Sequence, residues 1–215
     1  MKPEAVFFDL DGTLVDTALD MGQALNTLLE RHARRTLPHE EIRPHVSHGA
    51  NALLLIGFGE LGESDREALR QEYLDIYSAS LAERSCLFEE MDEVLDTIEQ
   101  RGLPWGVVTN KPGWLTEPLL KSLALFDRCV CVVSADTCSE RKPHPMPMYY
   151  AAEKAQVAPE HCLYIGDAER DIVAGRAAGM STLAAQYGYL TEADNPLDWN
   201  AGGIIERPSQ ILNFL

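Results

Sequence analysis

Positive charge is scarce in this sequence of 215 residues. Only 18 side chains are Lys or Arg, against 34 Asp and Glu, and the formal net charge is -16 at pH 7. Because such a surface repels phosphate over most of its area, the composition argues against nucleic acid as a partner. An anionic small molecule would need a locally positive site, formed by a metal ion, a lysine or backbone amides.

The sequence also lacks paired cysteines and long apolar runs. Its five cysteines include no C-x-x-C pair, which favours a reducing compartment. The chain reaches Asp9 before an apolar signal-peptide core could form. The most apolar later run, residues 50–58, is too short to span a bilayer. We therefore predict a cytoplasmic protein that does not act in a membrane.

Short apolar segments rich in β-branched residues alternate with helical patterns along the chain. These segments span residues 5–10, 105–109, 129–134, 163–167 and 181–185, with a weaker sixth at 202–206. Strands that alternate with helices predict an α/β protein with a doubly wound parallel sheet. Ligands bind beyond the carboxyl ends of the strands in such sheets, which is where Asp9, Thr109 and Asp167 fall.

Residues 11–104 separate the first predicted strand from the second, far more than a crossover helix requires. Apolar residues recur there at helical spacing, within residues 21–32 and again within residues 69–81. The sequence therefore predicts a helical insert. We place it at residues 16–87 and the core at residues 1–15 and 88–215.

The first segment ends in V-F-F-D-L-D-G-T, with carboxylates at Asp9 and Asp11. Crowded carboxylates at a strand end repel each other and lose hydration, so a chain selected only for stability would tend to avoid them. A turn capped by a side chain explains one aspartate well and two poorly. A divalent cation resolves the crowding, because one oxygen of Asp9 can bind Mg²⁺ while the other attacks a phosphorus atom.

Two more carboxylates follow a later strand in L-Y-I-G-D-A-E-R-D, at Asp167 and Asp171. Asp171 could be an ordinary first-turn acid that interacts with the helix dipole. Gly166, just before Asp167, indicates the close approach of another group. Together the two aspartates are candidate ligands of a hard cation that prefers oxygen.

Two motifs offer groups for a phosphate. In W-G-V-V-T-N-K-P, Thr109 and Asn110 supply a hydroxyl and a backbone amide at a helix start, although both residue types also commonly cap helices. In R-K-P-H-P, prolines hold Lys142 on a stiff, extended loop. A lone lysine is usually a surface charge, but this chain has only five lysines and several site carboxylates to offset.

These motifs resemble those of the haloacid dehalogenase superfamily of phosphohydrolases, in the same order and over essentially the whole chain. They are DLDGT at 9–13, VVTN at 107–110, Lys142 in KPHP, and GDAERD at 166–171. The resemblance implies a Rossmann-like core, and the insert looks like the first type of cap domain in that superfamily.

The resemblance also implies roles for the motif residues. Asp9 would be the nucleophile that forms an aspartyl phosphate, and Asp11 would act as general acid and base. Mg²⁺ would be held by Asp9, Asp11 through its backbone carbonyl only, Asp167 and Asp171. The phosphoryl oxygens would be bound by Thr109, Asn110 and Lys142. Because dehalogenases and phosphonate-cleaving relatives lack an aspartate at position 11, this chain is expected to act on phosphate esters.

Within the superfamily the chain resembles the phosphoglycolate phosphatase group. The phrases at 87–91, 105–112 and 187–199 look like those of N-acetylmuramic acid 6-phosphate phosphatases. We expect a small-molecule phosphate ester as substrate and lean towards the amino-sugar phosphate. The insert should read the rest of the substrate through the polar loop at 43–49, where the candidates are Arg43, Ser47, His48 and Gly49.

Two alternatives remain open. A phosphomutase of the β-phosphoglucomutase type would use Asp9 and Asp11 but return the phosphate to a sugar, and the insert shows no basic cluster suited to a second phosphate. A non-catalytic module that binds phosphorylated metabolites would be free to lose Asp9, Asp11, Lys142 or Asp167, yet all are present. The sequence is compatible with a monomer or a homodimer.

Overall fold

A parallel sheet of six strands forms the centre of the computed structural model, which describes residues 2–215. In chain order the sheet strands are β1 (Ala5–Phe8), β4 (Trp105–Val108), β5 (Val132–Val133), β6 (Cys162–Gly166), β7 (Ser181–Ala185) and β8 (Gly203–Ile205). Two short strands outside this sheet are β2 (Val15–Asp16) and β3 (Cys86–Leu87). The spatial order is β5-β4-β1-β6-β7-β8.

Eight α-helices accompany the strands within the described residues. They are α1 (Ala18–Arg31), α2 (His39–Ile42), α3 (Gly49–Phe58), α4 (Glu63–Ala79), α5 (Met91–Gln100), α6 (Gly113–Ser122), α7 (Met146–Ala155) and α8 (Glu169–Ala177). A 3-10 turn at Arg43–His48 joins α2 to α3. None of these helices combines the length and the apolar character needed to cross a lipid bilayer.

The predicted α/β fold is confirmed. Strand β1 lies in the middle of the sheet and pairs in parallel with β4 on one side and β6 on the other, with Phe8 opposite Val107 and Ile165. All four residues of β1 are fully buried, as expected for a strand covered by helices on both faces. The predicted strand at 129–134 is much shorter in the structure: β5 is an edge strand of two residues, opposite Val107 and Val108 of β4.

The insert between β2 and β3 contains helices α1 to α4. Its apolar core is formed by side chains from the two predicted faces and from α3, including Leu25, Leu28, Leu29, Leu53, Tyr73 and Tyr77. His32, at helical spacing from Leu25, Leu28 and Leu29, is expected on the same face, but it is exposed and its Nε2 lies 2.8 Å from Oε2 of Glu72. Its imidazole therefore belongs to the surface of the insert.

The chain leaves the core and returns to it along neighbouring paths. Strands β2 and β3 pair in antiparallel fashion, with Val15 opposite Leu87 and Asp16 opposite Cys86. The side chain of Asp20 in α1 accepts hydrogen bonds from the backbone N–H groups of Arg84 and Ser85. These contacts support our proposal that residues 16–87 form a cap on the core.

Candidate active site

Three buried carboxylates meet at the carboxyl ends of neighbouring strands. Asp9 follows β1, Asp167 follows β6, and Asp171 lies in the first turn of α8. They are at most 3% exposed, and each offers an oxygen that lies within 4.8 Å of the others. Gly166 permits this approach, because a Cβ there would stand 2.4 Å from the Cβ of Asp171.

The three carboxylates repel one another, and this repulsion changes their pKa values. Burial and the negative charges of Asp9 and Asp171 raise the pKa of Asp167 to about 7. Burial and Asp9 also raise the pKa of Asp171. Burial acts in the same direction on Asp9, but the cations Lys142 and Arg170 outweigh it, and the pKa of Asp9 lies below its ordinary value. Asp9 is therefore an anion at neutral pH.

Lys142 is the cation closest to this cluster. Its Nζ lies 2.9 Å from Oδ1 of Asp9 and 2.7 Å from Oδ1 of Asp171. It also donates to the carbonyl of Val108 and the hydroxyl of Tyr164, both at 2.8 Å. With 1% of its side chain exposed, Lys142 is a buried, fully surrounded ammonium rather than a surface charge.

The cluster fits a hard divalent cation. Its donors are all carboxylate oxygens, the ligands that Mg²⁺ prefers in proteins. Oδ1 of Asp171 is buried and forms a charge-assisted contact of 2.7 Å with Nζ of Lys142, so this oxygen is fixed beside Asp9 and Asp167. Asp9, Asp167 and Asp171 are therefore the side chains that could hold Mg²⁺.

Asp11 lies apart from the three clustered carboxylates. Its Oδ1 accepts a hydrogen bond of 2.6 Å from the Thr17 hydroxyl, and Nζ of Lys111 lies 2.9 Å from the same oxygen. Its backbone carbonyl lies 3.3 Å from Oγ of Ser47. The expected separation of the Asp11 side chain from the metal ligands is compatible with this arrangement.

Thr109 and Asn110 line the same cavity as Asp9. The Thr109 hydroxyl accepts a hydrogen bond from the backbone N–H of Lys111. The side-chain amide of Asn110 bonds both backbone groups of Lys142, at 2.9 and 3.1 Å. Asn110 thus joins the loop after β4 to the loop that carries Lys142, a role that its sequence position did not indicate.

The loop of the insert contacts the carboxylate cluster directly. The Ser47 hydroxyl donates to Oδ2 of Asp167 at 2.5 Å, and Arg170 donates to the Ser47 carbonyl at 2.7 Å. Ser47, His48 and Gly49 all line the cavity. Arg43 does not; its guanidinium donates to the carbonyls of residues 187 and 188 and lies over the ring of Tyr189.

Four cavity cations were not singled out from the sequence: Lys111, Arg170, Arg141 and Arg70. Lys111 was visible as the residue after T-N in the second motif, and Arg170 as the residue before Asp171 in the last. Arg70 gave no signal, because it stands in a charged helix and pairs with Glu67 at 2.9 Å.

The cavity encloses about 460 Å³ between core and insert. The core lines it with Asp9, Asp11, Thr109, Asn110, Lys111, Arg141, Lys142 and Arg170, among others. The insert contributes polar loop residues and the apolar or aromatic side chains of Met21, Val46, Leu74, Tyr73 and Tyr77. The core side of the cavity is therefore polar and charged, and the insert side is partly apolar and aromatic.

Comparison with known proteins identifies the family of the chain. Residues 6–185 match the family model described as haloacid dehalogenase-like hydrolase. A phosphoglycolate phosphatase of Xanthomonas campestris pv. campestris is 44% identical over 209 residues, covering 97% of this chain and 95% of the relative. An N-acetylmuramic acid 6-phosphate phosphatase of Pseudomonas aeruginosa is 38% identical, covering 100% and 96%.

Solved structures agree as well. A crystal structure of a predicted phosphoglycolate phosphatase from Haemophilus somnus superposes with a TM-score of 0.86 at 25% identity, covering 99% of this chain and 98% of that chain. The chain therefore belongs to the haloacid dehalogenase-like hydrolases. Within that family it is a phosphatase that resembles the phosphoglycolate and N-acetylmuramic acid 6-phosphate enzymes, which confirms the resemblance drawn from the motifs.

Proposed function

We propose that the protein is a Mg²⁺-dependent phosphomonoesterase that acts through an aspartyl phosphate on a phosphorylated amino sugar. The observation that carries this proposal is the position of Asp9. It is an anionic carboxylate that opens into a 460 Å³ cavity, and it lies beside two further carboxylates that could share a cation.

Asp9 is oriented before any substrate binds. Its Oδ1 accepts a hydrogen bond of 2.7 Å from the backbone N–H of Leu10 and lies 2.9 Å from Lys142. A fixed carboxylate loses little freedom when it attacks. In the proposed first step, a bond forms from an Asp9 oxygen to phosphorus while the bond from phosphorus to the ester oxygen breaks.

Asp11 would complete both halves of the reaction. It would give a proton to the departing alkoxide and then take one from the water that attacks the aspartyl phosphate, releasing inorganic phosphate and regenerating Asp9. Lys142, the Thr109 hydroxyl and the backbone N–H of Asn110 would bind the phosphoryl oxygens. Bound Mg²⁺ would supply additional positive charge for those oxygens.

The cavity size supports an amino-sugar phosphate over phosphoglycolate. Sites that enclose most of a drug-sized ligand have volumes of roughly 300–1,000 Å³, and this cavity has about 460 Å³. Phosphoglycolate is little more than a phosphate and a carboxymethyl group and would leave most of that space unfilled.

Both substrates named for the relatives carry a carboxylate as well as a phosphate. Two cavity cations, Arg70 and Arg141, come from different elements and are not part of the carboxylate cluster. A guanidinium matches a carboxylate in charge and in geometry. We propose that one of these guanidinium groups binds the substrate's carboxylate and that Ser47 and His48 contact its polar groups.

The test is a phosphate-release assay with Mg²⁺ on N-acetylmuramic acid 6-phosphate, phosphoglycolate and simple sugar phosphates. We expect the highest kcat/KM for the amino-sugar ester, with one free phosphate for each ester consumed, and no activity in Asp9→Asn. Wild-type activity in Asp9→Asn would contradict the assignment of Asp9 as the nucleophile. Sugar product that retains its phosphate would instead indicate a mutase, and no turnover of any ester would indicate a binding module.

A further inference from the structure

Lys111 is a buried cation between the core and the insert, and none of the roles proposed above uses it. It stands in the core between β4 and α6. Its Nζ lies 2.9 and 3.2 Å from the two carboxylate oxygens of Asp11. The same Nζ lies 2.9 Å from the hydroxyl of Tyr77, which belongs to helix α4 of the insert. One ammonium thus contacts both parts of the molecule.

The surroundings of Lys111 restrict it to this position. Its side chain is 5% exposed, and the ring of Tyr77 lies 4.6 Å from Nζ. Removing an ammonium from water costs several kcal/mol unless close partners replace the hydration. Here Asp11 and Tyr77 are those partners, and Sδ of Met21 at 3.9 Å is the remaining contact.

Asp11 is held from a second direction. Its Oδ1 accepts a 2.6 Å hydrogen bond from Thr17, the residue that follows β2 where the chain enters the insert. The carboxylate therefore lies between Thr17 at the linker and Lys111 in the core. Since Lys111 is itself fixed by Tyr77, the direction of the Asp11 carboxyl depends on where α4 lies.

We propose that Lys111 is a positioning residue that aims Asp11 at the ester oxygen when Tyr77 is in place above the cavity. This inference rests on the proposed function, because it assumes that Asp11 delivers a proton to the leaving group. Lys111 acts through Asp11 and does not itself exchange a proton. A cavity without Tyr77 in contact would leave Asp11 less ordered and proton delivery slower.

The test compares two leaving groups in order to distinguish impaired proton delivery by Asp11 from a general loss of activity. The value of kcat/KM covers the steps up to cleavage of the ester bond, so it does not include hydrolysis of the aspartyl phosphate. An alkoxide must be protonated as it departs, whereas dinitrophenolate departs unaided. The probes are dinitrophenyl phosphate and either N-acetylmuramic acid 6-phosphate or phosphoglycolate, whichever alkyl ester the enzyme turns over faster.

Lys111→Met removes the charge and retains the length of the side chain. We expect kcat/KM for the alkyl ester to fall on the order of tenfold to a hundredfold, part of the general-acid contribution of about 10²- to 10⁴-fold, and that for dinitrophenyl phosphate by less than about threefold. Lys121→Met is the matched control, since Lys121 is an exposed lysine of α6. It should leave both values unchanged. If Lys111→Met lowers kcat/KM by the same factor for both esters, the inference is overturned.

Tyr77→Phe tests the contribution of the insert and also serves if Lys111→Met does not fold. It removes the hydroxyl that contacts Lys111 but keeps the ring, which is stacked on Tyr73 at 6.3 Å. We expect a selective loss on the alkyl ester that is smaller than for Lys111→Met. Tyr73→Phe makes the same chemical change one turn earlier, where the hydroxyl donates to the Met21 carbonyl instead. Tyr73→Phe should change kcat/KM for both esters by the same factor. A selective loss on the alkyl ester in this variant would contradict the role assigned to the Tyr77 hydroxyl.

A double-mutant comparison decides whether Lys111 acts through Asp11. In an Asp11→Asn background, Lys111→Met should change kcat/KM for the alkyl ester by less than about twofold, because the group that it positions is already gone. A full additional loss would overturn the inference. Failure of the proposed function is distinguishable, since it would appear as activity in Asp9→Asn or as absence of turnover in the wild-type protein.

Discussion

Asp167→Asn should raise the stability of the metal-free protein, relative to wild type, as the pH increases, and it should remove the response to Mg²⁺. The carboxyl of Asp167 is 1% exposed, and burial with the charges of Asp9 and Asp171 raises its pKa to about 7. In an unfolded chain the pKa of an aspartate is about 3.9. The folded protein therefore keeps a proton that the unfolded chain releases between these two pH values.

The sign and size of the effect follow from this difference. Stability from a raised carboxyl pKa is complete below the unfolded pKa and is lost as pH rises through the folded one. A folded pKa of about 7 against an unfolded pKa of about 3.9 corresponds to a loss of about 4 kcal/mol of stability at pH 8. At pH 5 the loss is only about 1.5 kcal/mol. An asparagine carries no charge at either pH. The free energy of unfolding of the variant, relative to wild type, should therefore rise by roughly 2.5 kcal/mol from pH 5 to pH 8.

Urea unfolding in the presence of a chelator, followed by circular dichroism at pH 5 and pH 8, measures this change. Loss of the hydrogen bonds from Ser47 and Tyr189 lowers the free energy of unfolding by the same amount at both pH values, so it cancels in the comparison. Asp127→Asn, at an exposed aspartate, is the control and should show no pH-dependent difference. If Asp167→Asn differs from wild type by the same amount at both pH values, the carboxyl is not buried among like charges and the reasoning is refuted.

The same samples test the metal site. A ligand that binds only the folded state stabilises it by about 2.7 kcal/mol at a hundred times its dissociation constant. We expect added Mg²⁺ to stabilise the wild type at pH 8 and to leave Asp167→Asn nearly unchanged. Equal stabilisation of both proteins would remove Asp167 from the ligands.

Three further outcomes are expected. Ser47→Ala and His48→Ala should reduce the ratio of kcat/KM between the amino-sugar ester and phosphoglycolate, and wild-type ratios in both variants would remove the loop from substrate recognition. Gly188→Ala should lower stability by about 1–3 kcal/mol in thermal unfolding, because its Cβ would stand 2.5 Å from a backbone carbonyl, whereas Gly62→Ala, with open space around it, should cost less than about 1 kcal/mol. Tyr189→Phe removes the acceptor of the Thr17 backbone N–H and leaves the Ala18 N–H with Oδ1 of Asp16 alone. This should cost about 1–3 kcal/mol in urea unfolding; an unchanged midpoint would contradict that role.

The carboxylate cluster could be predicted from the sequence because each member follows a strand or opens a helix. In a parallel sheet the carboxyl ends lie on one edge, so strand-end residues converge whatever their separation along the chain. Asp9 and Asp167 illustrate this, since they are adjacent in space only because β1 pairs with β6. The spatial order of the strands is not written in any local pattern.

The contacts between insert and core could not be predicted in the same way. Arg43 and Lys111 both carry long, flexible side chains whose directions are decided by groups distant in sequence. Arg43 turns towards the carbonyls at 187 and 188, and Lys111 turns inward towards Tyr77. Sequence periodicity reports which face of a helix is buried, but not which distant partner a charged loop side chain meets.

The charge of the site explains how an acidic protein could bind a phosphate dianion. Four carboxylates, Asp9, Asp11, Asp167 and Asp171, face three buried or half-buried cations, Lys111, Lys142 and Arg170. When these seven groups are ionised, one negative charge remains among them; Arg70 and Arg141 line the same cavity but are not part of the carboxylate cluster. A phosphate bound next to Asp9 would be repelled by that remaining charge. A bound divalent cation would change that remainder to one positive charge. The cation requirement that we propose therefore follows from substrate binding as well as from the crowding of the carboxylates, and phosphate affinity should be lost on chelation even in an Asp9→Asn protein that cannot turn over.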